Sequence, residues 1–246
     1  MNYYNENNPY VAQWLRNLMA KKLIPIGDVD ERSIAEVKPN DLAGYTQCHF
    51  FAGLGGWSHA LRLAGWPDDK PVWTGSCPCQ PFSIAGKRKA EKDARHLWPE
   101  FRRLIGNCRP TVVFGEQVES KLGRAWFDTV RTDLETMDYA VGAADLCAAS
   151  IGAAHRRQRL FFVASSSDTN SDRYQQRAKK NPLQQFNLLQ LERLVRASLQ
   201  SALPAGKRSL LSDGIPCRMD KLRALGNAIV PPLAAEFIRA FMEIEK

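Results

Sequence analysis

The chain has 246 residues, 44% of them hydrophobic and 24% charged, with 16 glycines and 14 prolines. That composition excludes a disordered, collagen-like or coiled-coil chain and allows one large domain or a domain with a small attachment. Net charge is +8, and the surplus is concentrated in residues 46–164 and 165–220, which favours a polyanionic partner such as nucleic acid.

No apolar run reaches the ~18–20 residues that span a bilayer, and the start, MNYYNENNPY, has neither a basic nor an apolar signal region. The expectation is a soluble cytoplasmic protein with no membrane partner. The six cysteines are scattered through apolar segments, which fits reduced thiols better than a disulfide framework. Cys77 and Cys79 are separated by one residue and have no second pair or histidine cluster, so no metal site is expected.

From the start to residue 164, short β-rich runs alternate with amphipathic stretches, as in a βα-repeating sheet. Predicted strands are Met1–Tyr4, Leu23–Ile26, Gln47–Phe51, Val72–Gly75, Thr111–Phe114, Ala140–Leu146 and Leu160–Ala164. Val11, Trp14, Leu15 and Leu18 follow the helical period, as do Trp126, Phe127, Val130, Leu134 and Met137, and both stripes read as core faces. Leu233, Phe237, Ile238, Phe241 and Ile244 predict a closing helix opened by Pro231-Pro232. Composition breaks at Ser165. The chain therefore divides into 1–164, a Ser-, Asn-, Gln- and Arg-rich insertion at 165–217, and a returning segment at 218–246.

Two segments could carry chemistry. Phe51-Ala52-Gly53-Leu54-Gly55-Gly56 follows a strand and precedes a predicted helix, Ser58–Ala64, where glycines let backbone approach a nucleotide-like ligand. A tight βα turn without a ligand fits the same residues equally well. Gly75-Ser76-Cys77-Pro78-Cys79-Gln80-Pro81-Phe82-Ser83 puts cysteines on a loop at a strand's carboxyl end, where open α/β sheets hold their sites. Taken alone, a buried structural thiol is the competing reading.

Pro78-Cys79-Gln80-Pro81-Phe82-Ser83, with FAGLGG before it, Gly115-Glu116-Gln117-Val118, Arg157-x-Arg159 and Leu225-Gly226-Asn227-Ala228 after it, resembles the DNA (cytosine-5)-methyltransferase family, in its small phage and prophage versions. The resemblance implies a Rossmann-like α/β fold, S-adenosylmethionine as cofactor and double-stranded DNA as partner. It implies that Cys79 adds as a thiolate to carbon 6 of a flipped-out cytosine, because carbon 5 alone is too weak a nucleophile to take a methyl group. Glu116 would hold and protonate ring nitrogen 3, Arg159 would bind the 2-keto oxygen, and Arg157 would hold the catalytic loop or a phosphate. Pro78, Gln80 and Ser83 would contact the target. Phe51, Gly53, Gly55, Gly56, Leu97 and Asn227 would line the cofactor pocket. The basic insertion, including Lys179 and Lys180, falls where the family has its target-recognition domain.

The order of motifs departs from the family's. Only the eight residues Pro67–Thr74 lie between the glycine-turn segment and the PCQ segment, so the family's second and third strands are missing from that place. Residues 4–12, Tyr-Asn-Glu-Asn-Asn-Pro-Tyr-Val-Ala, followed by Ile26-Gly27-Asp28-Val29, resemble those two strands moved to the front, a circular permutation. On that alignment Glu6 would accept the ribose hydroxyls, Asp28 the adenine amino group, Val29 would sit beside it, and Asn7 replaces an aromatic residue that commonly stacks on adenine. An unrelated helical cap is the alternative for residues 1–45. His155 stands where the family has Gln. A silent DNA-binding relative and an enzyme acting on RNA or a modified cytosine are the rival functions.

Overall fold

The computed structural model describes residues 1–78, 97–153, 157–166 and 228–245. In chain order these form β1 (Asn2–Asn5), α1 (Pro9–Ala20), β2 (Gly27–Asp30), β3 (Gln47–Phe50), α2 (Gly56–Ala64) and β4 (Val72–Gly75). Then follow α3 (Trp98–Cys108), β5 (Val112–Val118), α4 (Lys121–Glu135), β6 (Tyr139–Cys147), β7 (Gln158–Ser166) and α5 (Pro231–Ile244).

The strands build one seven-stranded sheet in the order β2-β1-β3-β4-β5-β7-β6. Neighbours from β2 through β5 pair in parallel, while β7 runs antiparallel to both β5 and β6. The N-terminal strands thus lie beside β3 on the side away from β4, with Asn5 opposite both Asp30 and Phe50.

Both faces are covered, as a mostly parallel sheet requires. On one face α2 and α5 enclose Trp57, Trp66, Phe114, Phe237 and Phe241, with α1 continuing the layer through Leu15 and Met19 against Tyr4. On the other, α3 and α4 bury Phe101, Leu104, Phe127 and Leu134 against Phe50, Trp73 and Phe162. Alternation along β5 sends Val112 and Phe114 to the first layer and Val113 to the second.

Three expectations need correction. The predicted strand Leu23–Ile26 is not one: Leu23 and Ile26 are 47% and 73% exposed, and pairing begins at Gly27. The apolar run instead closes α1, where the Leu23 amide donates to the Leu18 carbonyl and only Ile24 enters the core. Trp14 is not a core residue, since the buried stripe of α1 is Val11, Ala12, Leu15 and Met19. Finally, β5 extends four residues beyond Phe114, so Glu116 and Gln117 are buried strand residues and not part of a loop.

Candidate active site

The carboxyl ends of the parallel strands and the start of β7 converge on one cavity of about 800 Å³. Residues following β1, β2, β3 and β4 line it, together with the end of β5, Arg157, Arg159 and the returning residues Ala228 and Ile229. Such an edge is where open α/β sheets gather their ligands.

One end of the cavity is charged and its side chains are largely buried. Glu116 is 6% exposed, and its Oε1 lies 2.6 Å from the Nε of Arg159, which stands opposite Val118 and so diagonally across the β5–β7 ladder from Glu116. These two atoms touch without hydrogen-bond alignment, so the contact is an ion pair rather than a directed bond. Burial pushes the Glu116 carboxyl up to about 7, and the charges of Arg159 and Arg157 pull it only part of the way back. Burial and the proximity of Arg159 lower the Arg157 pKa from its ordinary value. Its Nη2 donates to the Ala228 carbonyl at 2.8 Å, tying the start of β7 to the segment that precedes α5.

The other end is a set of backbone turns held by polar side chains. Asn5, buried at the end of β1, donates to the carbonyls of Asp30 and Arg32, and its own carbonyl accepts from the Ala52 amide. Glu6, next along, accepts from the Gly53 amide at 2.9 Å with one carboxylate oxygen and from the Asn8 amide at 2.9 Å with the other. Asn8 caps α1 by accepting from the amides of Tyr10 and Val11. In the glycine turn Gly53 and Gly55 have φ of +55° and +73°, and Phe51 is held at +50°, a conformation a bulky side chain rarely takes outside functional turns. Gly56 is required for another reason: a Cβ there would stand 2.7 Å from Ile229 Cγ1.

Glu6, Asn7, Phe51, Gly53, Gly56, Pro78, Leu97, Glu116, Arg157 and Arg159 all line the cavity. Gly55 shapes the turn, but a Cβ there would face Leu15, Leu18 and Ile24. Asp28 and Val29 do not reach the cavity. Because β2 ends at Asp30, Asp28 lies two residues, about 7 Å, back from the carboxyl edge. It accepts instead from the Tyr45 hydroxyl, while Val29 packs towards α1. Cys79, Gln80, Ser83, His155, Lys179, Lys180 and Asn227 lie outside the described residues.

Several lining residues had no sequence signal. Arg32, Ser33 and Ile34 form the rim beyond β2, with the Arg32 guanidinium held by Asp30 and Asp41. Tyr10, Trp57, Ser76, Gln117 and Ile229 complete the wall. Tyr10, Ser76 and Gln117 stand inside segments the sequence singles out but were given no role there, and nothing in the residue pattern distinguishes the others. Among the described residues no group of His, Cys, Asp or Glu could hold a metal ion, and no helix is long and apolar enough to cross a membrane.

Residues 65–214 match the model of the C-5 cytosine-specific DNA methylase family, more than half of the chain. Type II methyltransferase M.HhaI of Haemophilus parahaemolyticus is 26% identical over 179 residues, 57% of this chain and 55% of the relative. Type II methyltransferase M.AplI of Arthrospira platensis is 33% identical over 110 residues, 44% of this chain and 31% of the relative. The chain thus aligns with about half the length of one and a third of the other. Among solved structures, a mutant of Spodoptera frugiperda DNMT2 superposes with a TM-score of 0.47 at 14% identity, covering 69% of this chain and 44% of that one.

Proposed function

The chain belongs to the C-5 cytosine-specific DNA methylase family, and from that premise we propose that it transfers a methyl group from S-adenosylmethionine to carbon 5 of cytosine in double-stranded DNA. The observation that carries this reading is the single cavity joining the buried Glu116–Arg159 pair to the Glu6-anchored glycine turn. One end suits an electron-poor ring and the other a nucleoside.

Cys79 adds as a thiolate to carbon 6 of the flipped-out base, forming a carbon–sulfur bond and pushing electron density towards ring nitrogen 3 and the 2-keto oxygen. Glu116 supplies the proton that nitrogen 3 takes up. A carboxyl with a pKa near 7 is protonated in about half the molecules at neutral pH, whereas an ordinary one would be almost wholly ionised. Arg159, whose side chain is largely buried, then balances the charge on the keto oxygen in a site that excludes water. The cofactor supplies an electrophilic sulfonium methyl group, which carbon 5 accepts. A water molecule then takes the carbon 5 proton as the carbon–sulfur bond breaks, the Cys79 thiolate leaves, and nitrogen 3 returns its proton to Glu116, which restores the aromatic ring.

The residues at the other end fit that cofactor. Glu6 offers carboxylate acceptors to ribose hydroxyls while its two amide bonds fix its position. Phe51 and Tyr10 provide aromatic surface beside Asn7. Arg157 acts by anchoring the Ala228 carbonyl, so its contribution is positional.

We further read the chain as circularly permuted, with β1 and β2 serving as the family's second and third strands; the parallel pairing of β1 with β3, and of β2 with β1, supports this. Residues 165–217 serve as a short target-recognition region whose lysines, Lys179 and Lys180 included, contact phosphate. Bisulfite or nanopore mapping of DNA from cells expressing the protein tests the activity. Methylated cytosines at a fixed sequence are expected with the wild type and absent with Cys79→Ser. No methylation from the wild type would defeat the proposal.

A further inference from the structure

The loop leaving β4 is gripped from two sides before it reaches Cys79. On the first side, the Trp57 indole Nε1–H donates to the Ser76 hydroxyl at 2.9 Å. Trp57 is 4% exposed, its ring stacked on Phe114 at 6.0 Å and edge-on to Phe161 at 5.9 Å, so the donor is fixed by packing. On the second side, Gln117 accepts from the Val118 amide at 2.9 Å, which orients its side-chain amide with Nε2 towards the Cys77 carbonyl at 3.5 Å. Trp57 stands in the first turn of α2, directly after the glycine turn, and Gln117 follows Glu116 on β5. Ser76 and Cys77 are therefore held between the cofactor end and the base end of the cavity.

We infer that Trp57 and Ser76 form a positioning pair that sets the base of the nucleophile's loop relative to the cofactor turn. This rests on the methyltransferase reading above. A bare strand-to-loop junction leaves several backbone rotations free in the three residues, Ser76 to Pro78, that precede Cys79. A buried indole hydrogen bond at the first of them removes part of that freedom, and geometry errors of about 1 Å at reacting atoms cost rate steeply. Tryptophan is needed because phenylalanine fills the same aromatic niche without a donor.

Single-turnover methyl transfer to a cytosine-containing duplex tests the pair, with S-adenosylhomocysteine affinity measured alongside. Ser76→Ala and Trp57→Phe should each slow transfer about five- to tenfold, the loss of one oriented hydrogen bond in the reacting state. The double variant should be no slower than the worse single, because both remove the same bond. Ser76→Thr, which keeps the hydroxyl, should restore the rate to within about twofold, and Ser76→Ala should leave cofactor affinity within about twofold. Wild-type rates in both single variants, additive losses, or a rate loss matched by an equal loss of cofactor affinity would each overturn the pair. A wild type that transfers no methyl group would overturn the underlying reading with it.

Discussion

The two ends of the cavity solve different physical problems. At the base end, a carboxyl and an arginine are taken out of water together, and burial raises the carboxyl's proton affinity by more than the neighbouring arginine charges lower it. At the cofactor end, Glu6 is half-buried and satisfied by two backbone amides. Chemistry on a ring requires a proton donor displaced from its ordinary pKa, which desolvation provides. Holding a nucleoside requires acceptors at fixed positions, which hydrogen bonding provides without desolvation.

The contrast breaks most visibly at Glu116. Glu116→Gln keeps the shape and removes the proton donor, so methyl transfer should fall about 10²- to 10⁴-fold while S-adenosylhomocysteine affinity stays unchanged. Stability should respond in the opposite sense. The folded state binds the Glu116 proton up to about pH 7, while the unfolded chain releases it near 4.5, so this group's contribution is fully present below 4.5 and is lost as pH rises towards and through 7. The loss is bounded at about 3 kcal/mol. Denaturant titrations between pH 4.5 and 8 should show a flatter stability profile for Glu116→Gln. An identical profile would mean that Glu116 is not desolvated.

At the cofactor end, Glu6→Ala should weaken S-adenosylhomocysteine binding by about 5- to 150-fold, since an acceptor of hydroxyls and the brace of the Gly53 amide disappear together. Asp28→Ala should leave it unchanged, because that carboxylate faces Tyr45 outside the cavity. Calorimetric titration of both variants decides whether residues 1–30 contribute to the site; equal, wild-type affinities would reduce them to a cap. A smaller effect is expected where the returning segment meets the glycine turn. Gly56→Ala forces a Cβ against Ile229 and should cost about 1–3 kcal/mol, part of it recovered by Ile229→Ala in the same chain, as thermal unfolding would report. The smallest effect belongs to the DNA side. Neutralising Lys179 and Lys180 together should flatten the slope of log affinity against log salt by up to about 2, and an unchanged slope would remove them from the phosphate contacts.

On the proposed reading, the Glu116 end was legible in the sequence because ring chemistry calls for particular residue types at particular strand ends. Glu116 and Arg159 meet because β5 and β7 are neighbours, and each stands in a short motif. The parallel core strands were readable too, since buried runs such as Val72–Gly75 carry no charged residue and are rich in β-formers. β2 was not. It is an edge strand of sequence Gly-Asp-Val-Asp whose residues are only partly covered, so the apolar run directly before it, Leu23–Ile26, imitated it. Lining residues such as Arg32 and Trp57 stayed hidden for a related reason. Their part in the wall depends on loop paths and side-chain directions that no periodicity encodes.

The central claim, that the cavity serves a covalent attack by Cys79 on cytosine, is most directly tested by incubating the protein with 5-fluorocytosine-containing duplex DNA and S-adenosylmethionine, then mapping the cross-linked peptide by mass spectrometry. The account predicts a denaturation-resistant complex with DNA attached at Cys79, abolished by Cys79→Ser and retained by Cys77→Ser. Attachment at Cys77, or no complex under conditions where the duplex is bound, would contradict it.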